Sequence, residues 1–122
     1  MKAVKVTTEA AVNVIDITQP FVECLHAIIG GFEIVRPKGL PMPFCMIVDD
    51  EGRVKQKPIN EVGSFLYEYH KHGHPIAGDI VIVKEISTHD GYDLDGLSES
   101  EINDVLALIN RICTERGINA DG

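Results

Sequence analysis

The run Asp79-Ile80-Val81-Ile82-Val83 sets four consecutive β-branched residues behind one acidic residue. A strand exposed on one face alternates apolar with polar side chains, so an unbroken run predicts a strand that is covered on both faces or central in a sheet. Upstream of it, Val62, Phe65, Leu66 and Tyr69 recur at helical spacing and predict a short helix over residues 60–70, ended by Gly73 and Pro75. Residues 32–36 and 43–49 read as strands. They are separated by Pro37-Lys38-Gly39-Leu40-Pro41, whose prolines and glycine do not sit in a ladder interior. Asp49-Asp50-Glu51-Gly52 reads as a turn into a short basic strand near residues 53–57.

Further upstream, Val4 and Val6 alternate with Lys5 and Thr7, and Val12, Val14 and Ile15-Asp16-Ile17 repeat the period of two. Strands over 2–7 and 12–18 follow, with a hairpin as the nearest pairing. Thr18 is placed to cap a helix with Pro20 in its first turn, and Phe21, Val22, Leu25, Ile28 and Ile29 share one face before Gly30-Gly31 stops it.

Downstream, Ser98 and Glu101 form a capping box, Leu97 and Ile102 a hydrophobic staple. Ile102, Val105, Leu106, Ile109, Ile112 and Cys113 then keep one apolar stripe ahead of Gly117. That stripe must be buried, on the sheet or on a second subunit, and periodicity does not choose. The expected fold is a single α+β domain over residues 1–118, a mainly antiparallel sheet of about five or six strands with two or three helices. The last helix is long and amphipathic, and residues 119–122 form a loose tail.

The 122 residues are 44% hydrophobic and 25% charged, ordinary globular usage that excludes a disordered or low-complexity chain. No apolar run approaches the ~18 to 20 residues that span a bilayer, and Met1-Lys2-Ala3-Val4-Lys5 leads into alternation, not a signal-peptide block. A cytoplasmic protein without a membrane partner is expected. Cys24, Cys45 and Cys113 are widely spaced in apolar segments and read as buried thiols.

A net charge of −8 opposes direct binding to nucleic acid. Seven carboxylates, from Glu85 to Asp104, fall between Lys84 and Arg111 with no intervening cation. Conversely, five of the eleven cations, Arg36, Lys38, Arg53, Lys55 and Lys57, fall within 22 residues.

Few constellations suggest chemistry. His70, His72 and His74 alternate as zinc or nickel ligands on an extended segment would, but Gly73 and Pro75 make a turn there and Glu68 alone lies close. Exposed loop histidines are the expected reading, and no metal or cofactor is assigned. Asp93 opens a calcium-like loop whose register fails, with Leu97 at the third oxygen position, Ser98 at the turn glycine and Asp104 in place of the bidentate Glu. A solvated acidic loop before the last helix is the simpler account. Ser64 lacks the second glycine of a nucleophile elbow, and Gly30-Gly31 ends a helix where a phosphate loop would begin one. An enzyme is therefore not the expected class; the weak option uses His72 or His74 with Asp79.

The cations offer more. Arg36 and Lys38 close one expected strand while Arg53, Lys55 and Lys57 line another, so folding could gather them around an anion, with Asn60, Ser64 and Tyr67 as neutral donors. The competing account is that Lys and Arg on a short edge strand guard against aggregation.

The segments Ile29-Gly30-Gly31-Phe32-Glu33-Ile34-Val35-Arg36, Met46-Ile47-Val48-Asp49-Asp50-Glu51-Gly52, Pro58-Ile59-Asn60, Gly63-Ser64 and His72-Gly73-His74-Pro75-Ile76-Ala77-Gly78-Asp79-Ile80-Val81 fall within residues 25–86. Their order resembles a family of small proteins of unknown function frequently carried by phages, prophages and conjugative elements of gut bacteria. Only Phe32 separates Gly31 from Glu33, a shorter spacing than that family's. The resemblance implies an accessory protein of a mobile element inside a bacterium, with no activity or catalytic residues attached.

Two functions are expected to compete. One is a non-enzymatic protein that sequesters a small anionic, nucleotide-like ligand, with the ligand set Arg36, Lys38, Arg53, Lys55, Asn60, Ser64 and Tyr67. It would self-associate, the apolar stripe of the last helix offering a seam. The other is a protein–protein inhibitor that presents the acidic stretch to a host enzyme as a mimic of nucleic-acid phosphate.

Overall fold

Ile80 opens the longest strand of the sheet in a computed structural model that describes residues 1–68 and 73–118. The strands are β1 (Lys2–Val6), β2 (Val12–Asp16), β3 (Glu33–Val35), β4 (Phe44–Val48), β5 (Ile80–Thr88) and β6 (Gly91–Asp95). The helices are α1 (Phe21–Ile29), α2 (Glu61–Leu66) and α3 (Glu99–Arg116). The expected α+β class is what is found. All strand pairs are antiparallel, in the order β2-β1-β5-β4-β3.

The length of β5 shapes one end of the molecule. β4 pairs along one edge, Phe44 facing Lys84 and Ile47 facing Val81. The other edge is shared: β1 pairs with Ile80–Ile82, then β6 takes over from Lys84 to Thr88. A bridge between Lys2 and Leu97 closes the junction.

The β-branched run is apolar throughout because both faces of the sheet are covered. Ile80 and Ile82, with Val4, Val6, Met46 and Val48, pack with Val62 and Leu66 of α2 and Val105, Ile109 and Ile112 of α3. Val81 and Val83, with Ala3, Cys45 and Ile47, pack with Phe21, Leu25 and Ile29 of α1. The stripe of α3 is thus spent on its own sheet, which settles the choice between sheet and second subunit.

Ser98 caps α3 as expected: its hydroxyl accepts from the Glu101 N–H at 3.2 Å, and the Glu101 carboxylate accepts from the Ser98 N–H at 2.8 Å. The same carboxylate takes Lys84 Nζ at 2.8 Å, and these bonds hold its pKa below the ordinary glutamate value. Ser98→Ala is expected to cost about 1 kcal/mol, read as a lower urea midpoint at unchanged slope.

Three local expectations are corrected. Thr18 does not cap α1; the N-cap position is Pro20, with no side-chain bond, and Val22 is 53% exposed. No strand forms near residues 53–57. The chain from Asp50 to Gln56 winds through turns closed by Lys55 N–H to Glu51 O and Lys57 N–H to Gly52 O. The acidic loop is largely strand β6, anchored by buried Leu94. Tyr69, His70, Lys71, His72 and the tail 119–122 lie outside the described residues.

Candidate functional site

Arg36 follows β3 directly, and the chain then runs through Pro37–Pro43, a segment too rich in proline to join the sheet, before β4 begins at Phe44. Across from it, β5 and β6 extend past β1 and carry Glu85 and Tyr92. Between these walls lies a hollow of about 520 Å³, lined by Arg36, Lys38, Met42, Phe44, Glu85 and Tyr92 among others. That volume falls in the range of small-molecule sites, roughly 300–1,000 Å³.

Charge and apolar surface are segregated within it. Glu85 accepts from Arg36 in a fork, Nε to Oε1 and Nη2 to Oε2 at 2.8 Å, and this pair raises the Arg36 pKa still further. The fork fixes the plane of the guanidinium and leaves its Nη1 hydrogens free of Glu85. Lys38 carries no ion pair among the described residues. Tyr92 is 74% and Met42 88% exposed, so large apolar side chains stand in water at the mouth.

Next to Phe44 in β4, Cys45 is fully buried in the layer under α1. Burial, aided by the charge of Glu85, pushes its thiol up to about 12, so it stays protonated and offers no thiolate.

The two cationic stretches go to different places. Arg53 and Tyr67 line a second, smaller hollow of about 170 Å³ that also takes His74, Asp49 and Asp50. Lys55 and Lys57 turn to buried Asp49, their Nζ atoms 3.0 and 2.6 Å from Oδ2. Each also donates to the end of α1, Lys55 to Gly30 O at 2.8 Å and Lys57 to Ile29 O at 2.9 Å. These are the carbonyls a helix leaves unpaired. Burial opposes the charge on Asp49, but the two ammonium groups and the Glu51 N–H outweigh it and lower its pKa to about 2. Gly30 adopts the left-handed conformation at φ 88°, and a side chain at Gly31 would run into the Asp49 carboxylate. The double glycine is thus the socket for this carboxylate.

Asn60 and Ser64 are interior. Asn60 is the N-cap of α2: its Oδ1 accepts from Gly63 N–H at 2.9 Å, and its Nδ2 donates to Val6 O at 3.0 Å and Gly78 O at 3.1 Å. Ser64 Oγ accepts from Ile76 N–H at 2.8 Å and donates to Ile76 O at 3.2 Å. Together they strap the segment before β5 to α2. Of the seven expected ligand residues, the large hollow gathers Arg36 and Lys38. It adds Glu85, Phe44, Met42 and Tyr92, for which the one sequence signal was apolar bulk among prolines and carboxylates.

Among the described residues, no group of three or more His, Cys, Asp or Glu side chains is placed to hold a metal ion, and no helix is long and apolar enough to cross a membrane. His70 and His72 fall outside those residues.

The model of a family described as a domain of unknown function, DUF3846, matches residues 1–110. The chain belongs to the DUF3846 family. The match takes in the β1–β2 hairpin, every other strand and most of α3, so the hollow is built wholly from DUF3846 residues. No curated protein and no solved structure matches the chain.

Proposed function

We propose that this DUF3846 protein is a non-enzymatic binding protein, an accessory of a phage or mobile element, that holds a small anionic, nucleotide-like ligand between Arg36, Lys38 and Tyr92. The observation that carries this reading is the pairing of cations with an exposed aromatic at one hollow. Tyr92 and Phe44 suit a planar ring, and the Arg36 Nη1 hydrogens and Lys38 ammonium suit an anion attached to it. Glu85 offsets one of the two cations, so the attraction is modest and depends on salt.

The acidic-inhibitor reading has less support. Glu85 and Glu101 are paired with Arg36 and Lys84, and Asp93 and Asp95 bond the N–H groups that follow them, which breaks up the array a phosphate mimic needs.

Calorimetric titration with a panel of mononucleotides and cyclic dinucleotides tests the proposal. Lys38→Ala and Tyr92→Ala, both on the surface, are each expected to weaken binding about tenfold, the equivalent of roughly 1.4 kcal/mol. Absence of binding across the panel, or binding that neither substitution touches, overturns it.

A further inference from the structure

With the stripe of α3 turned inward, the free margin of β2 is left as a place where copies can meet. We propose that two copies of this chain join antiparallel along β2, about a two-fold axis at Val14, into one continuous sheet.

The hydrogen-bond phase of the hairpin shows what that margin offers. Met1 and Ile17 exchange bonds, Ile17 N–H to Met1 O at 2.7 Å and the Met1 amine to Ile17 O at 3.3 Å. In an antiparallel ladder such pairs alternate, so Ala3–Ile15 and Lys5–Asn13 are the bonded pairs, consistent with Thr7 N–H to Ala11 O at 2.9 Å. Val12, Val14 and Asp16 therefore turn their N–H and C=O groups away from β1. No strand among the described residues pairs with them there.

The free margins of the sheet differ in protection: the outer side of β6 carries Asp93 and Asp95, charges of the kind that guard an edge. β3 is three residues long and is followed within two residues by Pro37, both common defences of an edge. β2 runs Val12-Asn13-Val14-Ile15-Asp16 without Lys, Arg or Pro, and Val14 is 46% exposed.

Charge permits a second copy. With Val14 opposite its own counterpart, Val12 faces Asp16 and Asn13 faces Ile15, so no like charges stand opposite. The two Asp16 carboxylates end about 13 Å apart, beyond a Debye length at physiological salt. Each also keeps Lys2 Nζ at 2.7 Å, which favours its ionised form. The contact uses the same strand on both sides and closes on itself, giving a dimer and not a filament.

Sedimentation velocity and oxidative cross-linking test this on the full chain. The unmodified protein is expected to sediment as a dimer at micromolar concentration. Val14→Pro removes an N–H that points away from β1 and is expected to give a folded monomer, its fold checked by circular dichroism. If Val14→Pro does not fold, Val14→Cys decides. The Val14 Cα atoms would lie about 5.5 Å apart, within disulfide reach, so Val14→Cys should cross-link nearly completely and Val22→Cys, exposed on α1, should not. A monomeric unmodified protein, a folded Val14→Pro dimer, or Val14→Cys that cross-links no better than Val22→Cys overturns the proposal.

Discussion

Asp49→Ala is expected to destabilise the protein by about 3 kcal/mol, seen as a large drop in the urea midpoint. The Asp49 side chain is fully buried, and it answers two ammonium groups and the Glu51 N–H at once. Lys55 and Lys57 keep 40% and 29% of their side chains exposed, so they can turn to water, which holds the cost at the lower end for a broken buried pair. The end of α1 loses its ties with them.

The acid limb of stability carries the same signature. The carboxyl titrates at about 2 when folded, against about 3.9 in an unfolded chain. A depressed pKa stabilises the fold above the unfolded value, and that stabilisation drains as pH falls from about 4 toward 2, by about 2 kcal/mol. Asp49→Asn should remove this part of the slope, so unfolding free energies of the two proteins should converge between pH 5 and pH 2.5, as roughly bracketed by those pKa values. Parallel pH profiles would show that the carboxylate is not the group responsible.

Asn60→Ala is expected to cost a further large amount, about 3 kcal/mol, or roughly 10 °C in Tm. One side chain caps α2 and satisfies carbonyls of Val6 and Gly78, all in the interior, where no water replaces it. Asn60→Asp separates the two roles. It keeps the acceptor for Gly63 but directs a carboxylate at two carbonyl oxygens, so it should be no more stable than Asn60→Ala at pH 7 and recover as the acid is protonated. An Asn60→Asp variant as stable as the original would mean that the donor bonds to Val6 and Gly78 contribute little.

What the sequence alone disclosed follows physical strength. The run Ile80–Val83 announced a doubly covered strand because burial on both faces leaves no room for polar alternation. The capping box and stripe of α3 were equally plain, being local. Arg53-Val54-Lys55-Gln56-Lys57 mimics the period of a strand, yet its lysines alternate because two of them reach back to one buried carboxylate. Asp49 lies only six residues before Lys55, but its burial, which makes it the anchor, is set by the fold and leaves no mark in the local pattern. β6 was hidden for the opposite reason: Tyr92 and Leu94 alternate correctly, but the aspartates around them read as loop.

The candidate site was half visible. Arg36 and Lys38 stood out as cations, while the wall that makes them a site comes from β5, β6 and a proline-rich connection that only tertiary folding assembles. Asn60 and Ser64 misled because a polar residue beside an apolar helix face looks like a ligand donor. The position of Asn60 just ahead of α2, three residues before Gly63, was the clue to a cap.

The outer half of β5 has left both apolar layers: beyond Glu85 its residues are exposed, with Ile86 at 37%. Met42, Lys38 and Tyr92 can thus be exchanged without disturbing what keeps the polypeptide folded. Under the function proposed above, binding and folding rest on separate residues, so substitutions at that tip change what is held there and leave the layered core as it is.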